Sequence, residues 1–523
     1  MARAARPSLS HFSTRGVAVR LFITCWLVFA LHFATNTVRE IYPAVSLGDH
    51  LSFDVSEYAG LHPDIFEIPD RGAFINNNPG ASILGAVPYA LLRPVTDRVV
   101  EHVRRKRALN PQSAPPEYDS PYPMAREFHR RAYERGLDVK LGLASGVMQV
   151  FCMAPLSALS AVVIFYILLG LNASPRAALW LALLYAIATP IFYRTAHLNQ
   201  NILVSHFALF AFASLWRPWD NPAAFKRPRY FVAGLLCGWA VVLDYSGLVV
   251  LLVMSVYGLM RRRSLPASAK SRADIWQFAA GVCLCAAALM AYQWSCFGNP
   301  FLPAQSYMPP TPYTAHGYRG MSLPSLDLLW ETAFGIRFGL FTSAPLLLLA
   351  LYIPGWFRRR ALALGNRETW CIVGFSLLFL LFCAANQYGW MQFFNGVRYV
   401  VPVVPFLFLL VACVLVRIPA RLAVLIGVVT AYWSWSLSMY RDVEFGLGVF
   451  ESPIHITLEG FRLPWLTTIE RMGYLPNGTS AIPLLVLCGV FLWVLWRPTF
   501  GQLARANELT SEVRALSQAQ SRP

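Results

Sequence analysis

Charge is scarce in this sequence. Only 14% of its 523 residues are charged, against 56% hydrophobic, and 27 in all are acidic. A water-soluble chain of this length needs a charged surface, so the shortage excludes an ordinary soluble globular fold. Short alternating segments are missing too, which excludes an outer-membrane barrel. There is no heptad pattern, no low-complexity tract and no internal repeat, and the last of these weighs against secondary transporters built from duplicated halves. Of the ten cysteines, none forms a CxxC arrangement. Cys25, Cys152, Cys237, Cys283, Cys285, Cys371, Cys383, Cys413 and Cys488 lie inside apolar runs, as small hydrophobes rather than disulfide or metal ligands. The formal charge of +17 is carried largely by short loops. No basic face interleaved with aromatics is visible, so nucleic acid is not an expected partner.

What the chain does have is long apolar runs. They fall at about 18–36, 142–171, 177–194, 200–216, 230–243, 246–260, 274–296, 337–354, 369–386, 399–416, 420–438 and 481–496. The expected fold is therefore all-α, a polytopic transmembrane bundle of about 12 spans. The 230–260 stretch is split at Asp244-Tyr245-Ser246-Gly247, because a carboxylate at a lipid-facing helix centre is costly and the tetrapeptide has turn chemistry. The N-terminal run reads as a retained first helix rather than a cleaved signal.

Basic residues orient the bundle. With residues 1–17 in the cytoplasm, the loops holding Arg176, Arg217 to Arg229, Arg261 to Arg272, Arg358 to Arg367 and Arg417/Arg421 all fall on the cytoplasmic side, as does the tail 497–523. The expected location is an inner (plasma) membrane with both termini cytoplasmic. The opposite face then receives the large first loop, 37–141, and the loop 441–480 before the last span. Within the first loop, an apolar helix at 81–93 and the basic stretch Thr96–Arg107 read as a pair of juxtamembrane helices in contact with membrane lipids. The region 108–137 reads as a surface excursion.

The first loop gathers acids in a chain otherwise poor in them: Asp49, Asp54, Glu57, Asp64, Glu67 and Asp70, followed by Asn76-Asn77-Asn78-Pro79-Gly80. Any one of these carboxylates fits a solvated loop, but as a group they suggest a site. Arg39 and Arg398 stand at helix ends on the same face, against the positive-inside bias, and guanidinium forks suit phosphate oxygens. The competing explanation is snorkelling to headgroups. His197, Asn199, Gln200 and Asn201 make a polar turn between two spans, with His206 further in. For Asn199 and Gln200, helix capping is the simpler reading, and for His206 a satisfied buried ring. Asp244 is a carboxylate at membrane depth. Asn76–Asn78 suit sugar hydroxyls or a turn before Pro79. Trp390, with Tyr388 and Gln392, suits stacking on a sugar or an interfacial aromatic belt.

Five stretches in order resemble the GT-C superfamily of polytopic glycosyltransferases, in particular bacterial proteins akin to protein mannosyltransferases and aminoarabinose transferases. They are NTVREIYPAVSLGDHLSFDVSEY, DRGAFINNNPGASILGAVPYALL, MAYQWSCFGNPF, AFGIRFGLFTSAPLLLLAL and NGVRYVVPVVPFLFLL, and the likeness covers about residues 20–440. Where relatives often carry a Lys before the PG pair, this chain has Asn76–Asn78. The resemblance implies transfer of a sugar from a polyprenyl-phosphate carrier to an extracytoplasmic acceptor (glycan, lipid or protein). It places the base in the first loop, with Asp49 and Asp54 foremost and Glu57 next. It implies that Arg39, Asn76, Asn77, Asn78, His197, Asn201, Asp244, Trp390 and Arg398 border the substrates. Some members use a divalent cation and some none, and nothing in the acid spacing here demands one. The alternatives are a flippase or transporter of a lipid-linked intermediate, and an assembly subunit without chemistry.

Overall fold

The computed structural model describes residues 14–35, 38–109, 117–219, 228–267, 270–354, 362–391 and 396–498. Gln392, the Arg358–Arg360 run and the tail beyond residue 498 therefore lie outside the described residues.

Helix α1 (Thr14–Leu31) leads into α2 (Ile41–His50), the antiparallel strands β1 (Ile65–Ile68) and β2 (Gly72–Ile75), then α3 (Gly80–Ala108) and α4 (Pro123–Glu134). Next come α5 (Asp138–Gly170), α6 (Pro175–Ile187), the five-residue α7 (Pro190–Arg194), α8 (Gln200–Trp216), α9 (Tyr230–Leu243), α10 (Gly247–Arg263) and α11 (Ala273–Phe297). The chain finishes with α12 (Leu326–Phe334), α13 (Asn366–Ala385), α14 (Val404–Leu415), α15 (Ala420–Met439), α16 (Glu451–Glu459), α17 (Pro464–Arg471) and α18 (Ile482–Pro498). Five of these, α1, α5, α11, α13 and α15, are long and apolar enough to cross a membrane. The apolar helices α6, α8, α9, α14 and α18 are shorter.

Burial follows composition. Every residue of α14 is buried, as is all but a few of α8, so these two apolar helices form the centre. Around them α11, α13, α15 and α18 leave Trp276, Trp294, Leu377, Val428, Val429 and Phe491 exposed, an apolar girdle that suits lipid rather than water. Close helix contact comes from small residues. A methyl on Gly234 of α9 would meet the Phe278 carbonyl of α11, and one on Gly281 of α11 would meet the Leu235 amide.

Three expectations are corrected. The run 337–354 is not a regular helix: it forms one α turn, Leu340–Ser343, and a 3₁₀ segment, Pro345–Leu351, because Gly335, Gly339 and Pro345 interrupt the ladder. The run 177–194 breaks at Thr189, whose hydroxyl caps α7 while Pro190 sits at its first position. The two juxtamembrane helices are one, α3, which carries Pro88 and Pro94 inside it. The chain is helical as expected, with a small hairpin turning through Pro69-Asp70-Arg71, where Asp70 has φ 62°, a conformation Asp tolerates. The excursion 108–137 also contains α4. The break at Asp244 is as expected: its backbone is extended and its Oδ1 accepts the Ser246 amide.

The connections sort to two ends. At one, the Arg261 guanidinium donates to the Trp216 carbonyl, the Arg367 guanidinium to Ser264 Oγ, and the Ala363 amide to the Leu171 carbonyl. At the other, the first loop meets Leu198, Arg398, Phe445 and the end of α9 at Val241.

Candidate functional site

Arg39 anchors the second end. Its Nη1 donates to Asp64 Oδ2 at 3.0 Å and to Asn76 Oδ1 at 3.1 Å, and its Nε lies 3.6 Å from Glu40 Oε1. The Glu40 side chain is sealed from solvent at 2% exposure, while Asp64 keeps 28%. Burial alone would raise the Asp64 carboxyl. Arg39, His62 and Arg398 outweigh it and hold the group below the ordinary carboxylate range.

Across from this pair stands a set of cations. Arg194 ends α7, a turn fixed by the Thr189 cap and by Thr195, whose hydroxyl donates to the Ile191 carbonyl. Arg441 follows α15 directly; it donates to the Tyr193 carbonyl at 3.1 Å and lies 3.2 Å from His197 Nδ1. Burial, Arg398 and Arg441 together push Arg194 down to about 9, and burial pushes Arg441 down to about 10. Both stay charged at neutral pH. His197 is driven well below its usual value by burial and by Arg194, Arg441 and Arg398, so its ring is neutral. Arg398 thus acts on Arg194, His197, His62 and Asp64 at once, and Glu40 acts on Arg194. Guanidinium groups from four separate stretches share one neighbourhood with two carboxylates.

The turn beneath Arg194 rests on a buried polar base. Gln149, in the π-helical turn Gln149–Met153 of α5, donates to the Phe29 and Thr195 carbonyls. Thr195 Oγ1 also lies 2.7 Å from Ser157 Oγ, which bonds His206 Nε2 at 2.8 Å. A π turn displaces one side chain from helical register, and here that side chain is the one that pins the arginine turn.

The other predicted residues are distributed around this centre. Asn77 Nδ2 reaches Gln200 Oε1 at 3.4 Å, and Gln200 Nε2 donates to Asp244 Oδ2 at 2.7 Å. Asn78 donates to the Val241 carbonyl, so the Asn triplet ties Arg39 on one side to the α9–α10 break on the other. Asn199 caps α8 through the amides of Asn201 and Ile202; Asn201 itself is buried. Trp390 lies on the 3₁₀ turn Gln387–Met391 with its ring partly exposed and makes no hydrogen bond to the arginines among the described residues.

The three acids placed foremost by the sequence have partners other than Arg39, Arg194, Arg398 and Arg441. Asp49 is buried between Lys140 at 2.7 Å, Arg93 at 3.2 Å and the Tyr89 hydroxyl at 3.2 Å, joining α2, α3 and α5. Asp54 Oδ1 accepts from the Ser56 amide, the Ser56 hydroxyl and the Ala73 amide, and so pins the hairpin; these bonds lower its carboxyl against the raising effect of burial. Glu57 is half exposed, 3.8 Å from Lys140. The acids at the cations are Glu40 and Asp64. Glu40 adjoins Arg39 at the helix exit, a position open to sequence reading; Arg194 and Arg441 carry no pattern that separates them from ordinary loop cations.

Among the described residues no cluster of His, Cys, Asp and Glu could hold a metal ion. A shallow depression of about 390 Å³ lined by Arg229, Phe231 and Gln277 lies at the opposite end, beside α9, and includes none of these groups. Comparison of the chain with protein-family models, with curated proteins and with solved structures finds no match in any of the three.

Proposed function

We propose that the protein is a GT-C-type integral membrane glycosyltransferase that moves a sugar from a polyprenyl-phosphate carrier to an extracytoplasmic acceptor. The supporting observation is the convergence of Arg39, Arg194, Arg398 and Arg441 beside Asp64 and Glu40. Guanidinium groups set close together, Arg194 buried and Arg39, Arg398 and Arg441 half-buried, repel one another, and a phosphate relieves that repulsion through paired hydrogen bonds. In this reading the arrangement is an inner-membrane helical bundle with the site on the extracytoplasmic face.

The reaction assigns each group a task. The acceptor oxygen attacks the anomeric carbon as the carbon–oxygen bond to phosphate breaks. The acceptor proton passes to a carboxylate, and the departing phosphate gains a second negative charge that Arg194, Arg398 and Arg441 stabilise. Asp64 takes the base role because its carboxylate is reachable, whereas Glu40 is sealed behind Arg39 as a counter-ion.

The test incubates purified full-length protein with a radiolabelled polyprenyl-phosphate hexose and follows cleavage of the sugar–phosphate bond. D64N is expected to slow cleavage by about 10²- to 10⁴-fold, the usual worth of a general base, with the lipid still bound. Loss in E40Q with D64N active would move the base to Glu40. Binding by the wild-type protein without cleavage would instead mark a carrier of the lipid-linked sugar.

A further inference from the structure

At the end of the bundle opposite the arginine cluster, two polar side chains share a concavity and have no task in the fold. Helix α9 starts there, where the Arg229 amide donates to the Ser214 carbonyl near the close of α8. α9 and α11 touch at Gly234 and Phe278, and the depression of about 390 Å³ is built from residues just ahead of that contact. Pro228, Arg229, Tyr230, Phe231, Val232 and Gln277 line it. Neither the Arg229 guanidinium nor the Gln277 side-chain amide has a hydrogen bond or ion pair among the described residues. The acids near this end, among the described residues, are already engaged. Asp274 is sealed 3.9 Å from Arg262 and accepts the Ser271 amide, and Glu368 accepts the Tyr257 hydroxyl 3.8 Å from Arg261. An unpaired cation thus heads an apolar surface, with Phe231 and Val232 exposed on α9 and Trp276 and Leu284 on α11. Snorkelling accounts for an arginine anywhere on this rim, but not for the concavity or for the amide that shares it.

We infer that this depression binds an anionic phospholipid of the adjoining leaflet, with Arg229 on the phosphate and Gln277 on a headgroup hydroxyl. A guanidinium fork meets phosphate oxygens in pairs, and a basic recess between spanning helices suits an anionic headgroup. A side-chain amide both donates to and accepts from a hydroxyl, so Gln277 fits a glycerol headgroup and has nothing to offer a quaternary ammonium. A choline headgroup would also set a second positive charge on a rim already rich in Arg and Lys. A free anion would meet one guanidinium between apolar walls, whereas a lipid covers those walls with its acyl chains. The inference needs the chain only to span a membrane, and it stands whether or not the protein transfers a sugar.

The test titrates full-length protein in detergent with dioleoyl phosphatidylglycerol, dioleoyl phosphatidylcholine or glycerol 3-phosphate. Native mass spectrometry counts the molecules bound. Wild type is expected to hold phosphatidylglycerol about tenfold more tightly than phosphatidylcholine. R229Q is expected to lose about tenfold in phosphatidylglycerol affinity and Q277L about threefold. Both keep the wild-type melting temperature, because both side chains are exposed. R176Q removes the same charge from the exposed start of α6, outside the depression, and should change affinity by less than about twofold. Equal affinity of wild type for the two lipids, or equal losses in R229Q and R176Q, would overturn the site in favour of diffuse surface charge. Glycerol 3-phosphate bound as tightly as phosphatidylglycerol would overturn the lipid in favour of a free anion.

Discussion

Asp49 and Asp64 belong to one acidic loop, yet their surroundings separate them. Asp49 is 4% exposed and wedged between Lys140 and Arg93, a buried ion group whose loss leaves an unpaired charge. D49N is therefore expected to cost about 3–5 kcal/mol of stability, read as a lowered melting temperature in detergent, with little change in turnover per folded molecule. Lost turnover in a D49N protein of wild-type stability would contradict this placement. Titration gives a second check at this scale. The groups facing His62 are Asp64, Arg39, Arg398 and Tyr42. Its folded value, about 4, lies below the ordinary 6.5, so its contribution to stability is complete above about pH 6.5 and is lost as the pH falls through 4. Asp64, also depressed, keeps its contribution above the ordinary carboxylate value and loses it only below. Melting temperatures measured stepwise from pH 7 to 4 should fall more steeply for wild type than for H62Q. Equal slopes would place His62 in a different environment.

Among the elements, the α9–α11 contact depends on Gly234 and Gly281, where backbones approach too closely for a side chain. G234L is expected to destabilise the bundle by at least the 1–3 kcal/mol typical of overpacking, seen as early melting and poor recovery from the membrane. A G234L protein with wild-type melting would show that these helices do not pack so closely. Element boundaries also show what the sequence made legible. The Asp244 break was readable because a carboxylate and turn residues coincide there, and the Asn199 cap because an amide precedes an apolar helix. The failure of 337–354 was harder to read: its leucines outweigh Gly339 and Pro345 in any hydropathy window, although those two residues decide the backbone. α3 runs through Pro88 and Pro94 as one helix because tertiary contacts, such as Gly80 against the Val242 carbonyl, override local breakers.

At the scale of the whole molecule, the helical architecture was legible from apolar runs. The site was only partly so. Arg39, Arg398 and the Asn triplet stand out in sequence because they break a local rule. Arg194 and Arg441 do not, since their meaning comes from a convergence that only the fold creates. Asp49 and Asp54 drew notice as loop acids, but which acid faces a cation depends on how α2 and the hairpin turn. In the proposed function, distant arginines form one seat for a lipid phosphate. Its most direct test is equilibrium binding of polyprenyl phosphate to the full-length protein in nanodiscs, comparing wild type with R194Q, R398Q and R441Q. Binding is expected to weaken at least tenfold in each folded variant, with less than additive losses in the R398Q/R441Q pair. Wild-type affinity in all three would contradict it.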